Sequence, residues 1–331
     1  MTSDLSILVT VHERQITLRR LLPHLKGFGC EILVTDSSKT RVPQNMLDEF
    51  NVRYLHHPGV DFYTNNITGL KELSSKYVVA LSDDDFLVKK SVFKCLDFLR
   101  KNPDYVSAEG LSLKFQEKNA TLMDSYGIEA YCLRQERLEA SDFLGRAKQC
   151  FDVFWPPIHS VINRKCYLEV FEFIRNHPEY QPIRYVDKIV ALFMALYGKT
   201  KLINTLYLLR SEDRQIEKDG FFNDLKKEVP FNELLNDLSK QDSSMIQYFA
   251  EQTGEEYTSI QHSILEILES YTKNYGPTIK ARRDFLDQRN WLNRLTKQQT
   301  RRAAIFTKIV SESAKEVDEI LKLIKLNPIK D

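Results

Sequence analysis

The sequence predicts an α/β protein: a mostly parallel sheet flanked by helices, followed by a helical C-terminal region. Three observations carry this. Short β-rich apolar runs alternate with helix-period segments through the first hundred residues. Two of those runs end in acidic residues, where the strands of a parallel sheet place their ligand-binding ends. From about Phe221 onward glycine is scarce and helical spacing dominates.

The elements follow in order. Leu5 to Val11 is an apolar strand, and Ile16 to Leu25 places Leu18, Leu21, Leu22 and Leu25 on one helical face. Glu31 to Thr35 is the next strand, ended by Asp36-Ser37-Ser38, and Val52 to Leu55 a short third one. Ile67 to Leu73 reads as a helix. Tyr77 to Leu81 is a fourth strand that runs into Ser82-Asp83-Asp84-Asp85. Ser91 to Arg100 is a helix, stopped near Asn102-Pro103. Beyond it, Val106 to Phe115 reads as one or two strands. Trp155-Pro156-Pro157 marks a rigid loop before a strand at His159 to Ile162, Val186 to Tyr197 is helical, and Lys201 to Leu209 is a strand. Phe306, Ile309, Val310, Ala314, Val317, Ile320, Leu321 and Ile324 form a stripe near a 3.5-residue period, which suits a packing or dimer surface. A boundary near residue 218 divides the chain into 1–218 and a helical region 219–331.

Composition narrows the function. The 331 residues carry 47 basic against 46 acidic side chains, so no global positive charge points to nucleic acid. The five cysteines are odd in number and widely spaced, which argues against a disulfide framework or a zinc knuckle. Ile7-Leu8-Val9 is too short for a signal-peptide core, and the run Ile189 to Tyr197 covers about half a membrane span. A cytoplasmic location follows as an expectation. Residues 280–302 carry Lys280, Arg282, Arg283, Arg289, Arg294, Lys297, Arg301 and Arg302 around Trp291. That run is expected either as a solvated face or as a peripheral contact with an anionic membrane at its inner face.

The acidic run is the chemical centre. Three adjacent carboxylates repel one another, and a hard divalent cation, Mn²⁺ or Mg²⁺, removes that cost with the oxygen ligands it prefers. In a strand-like conformation Asp83 and Asp85 would point to one side and Asp84 to the other. Asp36 has the same strand-end setting, where a carboxylate accepts hydrogen bonds from a ribose or a base N–H; alone it would read as a turn residue.

At this point a resemblance enters. Leu5-Ser6-Ile7-Leu8-Val9-Thr10-Val11-His12-Glu13-Arg14, then Leu18-Arg19-Arg20-Leu21-Leu22, resembles the opening of family 2 glycosyltransferases of the Rossmann-like GT-A fold. Glu31 to Ser38 is similar to that family's second strand with its nucleotide-binding aspartate, and Tyr77 to Asp85 to its metal-binding DxD strand. The likeness covers roughly residues 5 to 90 and fades by about 210. It implies a metal-dependent transferase moving a sugar from a nucleotide-sugar donor to a hydroxyl of a glycan or lipid-linked acceptor. Thr10, His12 and Glu13 would line the nucleotide pocket, and Arg14 would reach the diphosphate or a nearby carboxylate. Asp36 would bind base or ribose, while Asp83 and Asp85 would hold ribose, metal and diphosphate, with Asp84 between them. The chain departs from the pattern at Ser82, where an acid often stands. It departs again at Tyr185-Val186-Asp187, where a Glu-Asp pair usually supplies the base of inverting members. Asp187 is the candidate base, its other reading being a helix N-terminal carboxylate.

His159 could touch the acceptor or ligate the metal, or be structural. Arg210, with Asp213 and Arg214, follows the last strand and could close over phosphates. Three rivals stand beside the transferase. A nucleotidyltransferase needs a glycine-rich phosphate loop that Val11 to Arg20 lacks. An aspartyl phosphatase would use Asp83-x-Asp85, but Phe86-Leu87 follows. A GT-A-like module that binds a sugar or partner without turnover is the third. Homo-oligomer contacts through the C-terminal helices are a further expectation, as is a role in surface polysaccharide or glycolipid assembly.

Overall fold

A computed structural model describes residues 4–50, 52–116, 120–123, 139–152, 156–211, 232–286, 304 and 307–327. Strand β1 (Leu5–Val11), a 3-10 turn (Gln15–Thr17) and helix α1 (Leu18–Leu25) open the chain. They are followed by β2 (Glu31–Asp36), α2 (Gln44–Phe50), β3 (Arg53–His56), α3 (Phe62–Glu72) and β4 (Tyr77–Ser82). The expected strands β1 to β4 are all present, and they pair in parallel in the order β3-β2-β1-β4.

The remainder of the sheet is mixed. Two-residue β5 (Phe86–Leu87) precedes α4 (Lys89–Lys101), then come β6 (Tyr105–Gln116) and β7 (Thr121–Met123). Helix α5 (Phe143–Asp152) leads to β8 (Val161–Asn163), α6 (Arg164–Asn176), α7 (Val186–Tyr197) and β9 (Lys199–Ser211). Strand β8 runs antiparallel to both β4 and β6, β9 lies parallel to β6, and β5 and β7 pair antiparallel with β9 and β6. The expectation of a mostly parallel sheet therefore holds for β1 to β4 and gives way beyond them, where short antiparallel strands need no helical crossover.

Strand residues of β1 alternate between two cores. Ile7, Val9 and Val11 face α1, α2 and α4, while Leu8 faces α3, α5, α6 and α7. Burial on both faces explains why β1 reads as a continuous apolar run. Helix α3 sits close because Gly69 has no side chain: a Cβ there would lie 2.5 Å from Leu8 Cδ1. Asp61 caps α3 by accepting the N–H groups of Tyr63 and Thr64 at 2.9 and 3.0 Å.

The C-terminal helices extend both cores. Residues of α8 (Asn232–Leu238), α9 (Ser244–Thr253) and the first part of α10 (Tyr257–Leu286) bury Leu234, Leu238, Ile246, Phe249, Ile260 and Ile264 in the α3 to α7 core. Helix α11 (Ala314–Leu326) crosses to the other side. Ile309, Val317, Ile320 and Ile324, half of the sequence stripe, are buried there against α1 and its neighbours. Glu316 accepts the Lys89 N–H at the start of α4. The stripe thus has a packing role inside the chain. Among the described residues no helix is long and apolar enough to cross a membrane. The expected boundary at 218, Trp155, Asp213, Arg214, Phe306 and the side chains of the basic run 280–302 lie outside the described residues.

Candidate functional site

The strand order places a topological switch between β1 and β4, because the chain winds outward through β2 and β3 and then returns to the other side of β1. Ligands of open α/β sheets bind in the crevice outside such a point. Register sets the residues that surround it. Thr10 pairs with Thr35 and Ser82, and Val11 with Asp36, so Asp36 and the acidic run leave the sheet at one level on either side of β1.

The acidic run is a turn and not an extended strand. The Asp85 N–H donates to the Ser82 carbonyl at 3.3 Å, which sends Asp83 and Asp85 to different partners. Asp83 lies against Arg14, whose other nitrogen donates to Asp84 at 3.0 Å. Burial pushes the Asp83 carboxyl up, to about 7, against the pull of Arg14. Burial works against the Arg14 charge as well, yet Asp83 and Asp84 beside it raise its pKa above the ordinary arginine value.

Asp85 accepts the Ser211 N–H at 3.0 Å and stands 3.5 Å from Arg210 Nε and 3.9 Å from His159 Nε2. Burial raises its carboxyl to about 7, with Arg210 pulling the other way. His159 is held by a turn, with the Ser160 N–H donating to the Pro157 carbonyl, so the strand begins two residues later than expected. Its Nδ1 is 2.9 Å from the Ala80 carbonyl, and Tyr207 donates to its own carbonyl at 2.7 Å. A carbonyl only accepts, so Nδ1 carries the proton. Burial, and then Arg210, lower the ring to about 4. The neutral Nε2 therefore turns a lone pair toward Asp85.

Asp36 is fully buried. Its carboxylate accepts the Ser38 N–H at 2.8 Å, the Tyr54 hydroxyl at 2.6 Å and the Gln15 side-chain amide at 3.0 Å. The loop after β1 binds the loop after β2 along its length. His12 Nδ1 and Ser37 Oγ share a 2.9 Å hydrogen bond, the Glu13 N–H donates to Ser38 Oγ at 2.7 Å, and the Lys39 N–H donates to Glu13 Oε1 at 2.9 Å. Glu13 has φ 54, a left-handed conformation costly for a side chain with a Cβ. Gly59 at φ 78 lets the chain after β3 follow the same loop, its N–H reaching the Ser37 carbonyl at 3.1 Å.

Asp187 opens α7 and pairs with its neighbour Lys188 at 2.9 Å. It lies near Tyr63 at the start of α3, where its charge adds to burial in raising the phenol. Two clusters thus form around Arg14 and around Asp85, beside the Asp36 loop. Sequence reasoning missed Gln15, Tyr54, Ser211 and Tyr207. Gln15 adjoins Arg14 in the same turn, whereas Tyr54 pairs with Val34, two residues before Asp36, a relation that only the register reveals.

The fit of a divalent cation rests on two observations. Among the described residues the buried Asp83 Oδ2 has no hydrogen-bond partner in good geometry; the Thr17 hydroxyl, close enough to favour the Asp83 charge, lies 2.6 Å from the Arg14 carbonyl. Asp85 Oδ2 and His159 Nε2 face each other at 3.9 Å, beyond hydrogen-bond distance. No group of three or more His, Cys, Asp or Glu among the described residues forms a ready cage. Mg²⁺ and Mn²⁺ sites on phosphate ligands need only one or two protein carboxylates, since the phosphates complete the shell. The residues fit a cation brought in with a diphosphate.

Residues 6–147 match the model of the family Glycosyl transferase family 2. A crystal structure of S. aureus TarS 1-349 superposes with TM-score 0.51 at 10% identity, covering 98% of this chain and 88% of that one. The same fragment in complex with UDP-GlcNAc gives TM-score 0.53 at the same identity and coverage. No curated protein matches the chain in sequence. The likeness to TarS is one of fold, and the match to the glycosyltransferase family 2 model covers residues 6–147, less than half of the chain: the chain has a GT-A-like fold whose N-terminal part is similar to family 2 glycosyltransferases.

Proposed function

We propose that the protein transfers a sugar from a nucleotide-sugar donor to a hydroxyl of a glycan or lipid-linked acceptor, with inversion. The observation that carries this reading is the crevice between β1 and β4, with Asp36 on one side and Asp83 to Asp85 on the other. The UDP-GlcNAc complex of the TarS fragment shows that a protein of this fold takes such a donor.

Asp36, with Thr10, His12 and Glu13 around it, holds the base and ribose. Asp85 or Asp83 is the carboxylate that would hold Mn²⁺ or Mg²⁺, with the phosphates of the donor completing the shell. A bound cation would offset the charge that grows on the departing diphosphate. Arg210 and Arg14 stand beside the same carboxylates, and each can turn to a phosphate oxygen when its carboxylate takes another partner. Asp187 is the proposed base, removing the acceptor proton as the hydroxyl attacks the anomeric carbon. The acceptor would approach along α7, where α8 supports the start of the helix: Tyr185 donates to Glu233 at 3.0 Å.

The test is thermal-shift binding of UDP, GDP, CDP, CMP and TDP, with and without Mn²⁺, to the wild type and to Asp85→Ala. One nucleotide should raise the melting temperature only with metal, and Asp85→Ala should abolish the rise. A panel in which nothing binds would sink the donor-site reading and favour the phosphatase or the binding module.

A further inference from the structure

Asp36 presents an arrangement that the donor reading leaves unexplained: Oδ2 of the carboxylate meant for a nucleotide already accepts two hydrogen bonds, from Tyr54 and Gln15, and Oδ1 one, from Ser38. A nucleobase N–H directed at Oδ2 must take the place of one of its two donors. The Ser38 N–H belongs to the same loop and cannot be withdrawn alone. Tyr54 is anchored a second time, since its oxygen accepts the Val42 N–H at 3.1 Å, and Arg41 lies over its ring at 5.3 Å. The second anchor of Gln15 is the carbonyl of Thr40, an exposed residue. Gln15 stands half-buried on a short 3-10 turn, its amide at the end of a flexible side chain. Its amide nitrogen donates to Asp36 and to the Thr40 carbonyl. Both partners are acceptors, so the NH₂ end must face them and the orientation of the amide is fixed by chemistry.

We propose that Gln15 is a built-in competitor for the donor site, its carboxamide occupying the place that a nucleobase N–H takes when the donor binds. This rests on the donor-site reading above and deepens it. Two neighbouring facts agree with it. The turn that carries Gln15 follows Glu13, which holds a left-handed φ of 54, and strain of this kind is stored where a loop has two uses. Arg14, the residue between them, fills the acidic side of the same crevice. One short loop thus covers both halves of the site. The occupant that replaces Gln15 must bring a hydrogen-bond donor to Asp36. Uracil offers N3–H, whereas cytosine has a lone pair at that position.

The experiment is calorimetric titration of UDP and CDP, with Mn²⁺ present, into the wild type, Gln15→Ala and Gln15→Met. Removing the competitor should tighten UDP binding by about tenfold, the scale of one to two amide hydrogen bonds released from the free state. CDP should bind at least about tenfold more weakly than UDP to all three proteins. A second readout separates competition from mere structural support. Both variants should melt below the wild type when free and together with it when saturated with UDP, because the Gln15 contacts exist only in the free protein. Variants that bind UDP no better than the wild type, CDP that binds as well as UDP, or a melting deficit that persists at saturation would each overturn the proposal while leaving the donor site standing. Failure of the wild type and both variants to bind either nucleotide would overturn the donor-site reading and this proposal with it.

Discussion

Replacing Arg14 by alanine tests the electrostatic logic of the site before any substrate is known. Arg14 pairs with Asp83, whose side chain is 1% exposed, and with Asp84 at 3.0 Å; its own side chain is 21% exposed. Removing one partner of a buried pair costs about 3–5 kcal/mol, because the other charge stays behind without compensation. Partial exposure of the guanidinium, and the ability of Asp83 to take up a proton, put the expectation near ~3 kcal/mol. In a chain of this size that is a fall in Tm of roughly 5 °C. The loss should depend on pH in a definite direction. The Asp83 carboxyl is already raised by burial to about 7, and without Arg14 it rises further. A raised carboxyl binds a proton in the folded state that the unfolded chain lacks, so stability falls as pH climbs through the folded pKa. The gap between wild type and variant should therefore be small near about pH 6 and widen above about pH 7. Mn²⁺ should narrow it by supplying positive charge, and Arg14→Ala combined with Asp83→Asn should recover most of the loss. Urea unfolding followed by circular dichroism, across that pH range, reads all of this. A variant as stable as the wild type, or a gap that shrinks as pH rises, would refute the reasoning.

Two further perturbations probe the base and the C-terminal helix. Asp187→Asn keeps the volume but removes the proton acceptor, so turnover of sugar conjugates of the nucleotide that the binding panel selects should slow by about 10²- to 10⁴-fold with donor affinity unchanged; a loss of affinity at unchanged turnover would assign Asp187 to binding instead. Ile320 is fully buried between α11 and α1, and Ile320→Ala should cost about 2–5 kcal/mol in a single cooperative transition; two separate transitions, or no loss, would mean that α11 folds apart from the sheet.

The fold was most legible where one chemical pattern had one structural solution. Leu5–Val11 and Val186–Tyr197 have the limits their apolar runs suggest. The four parallel strands follow from apolar runs separated by helix-length connections. Legibility fell in the second half for physical reasons. Strand β5 has two residues and β8 three, too short for any periodicity. Helix α6 begins directly after β8 through the cap at Asn163, which accepts the Lys165 N–H at 3.0 Å. There is no loop between the two to mark the change. The destination of the C-terminal stripe was also hidden. Periodicity shows that Ile309, Val317, Ile320 and Ile324 need an apolar partner, but not that the partner is α1, nearly three hundred residues earlier in the chain.

The site divides along the same line. Residue type and strand-end position pointed to Asp36 and the Asp83 to Asp85 run, because ligands of parallel sheets bind beyond the strand ends, and the family resemblance added Arg14. Arg14 meets a nearby carboxylate as the resemblance implied, but the other partners were not legible, because a partner is a matter of register and loop closure. Asp85 sits between His159 and Arg210, which come from a turn before β8 and from the far end of β9. The neutral state of His159 depends on which nitrogen meets the Ala80 carbonyl. Gln15 makes the case most sharply. In the sequence it is one polar residue after Arg14. In the fold it reaches across to Asp36 and gives that aspartate a partner before any nucleotide arrives. A strand-end carboxylate read from sequence therefore identifies where a ligand can bind, while the donors that surround it in the free protein decide how much of that affinity the ligand can realise.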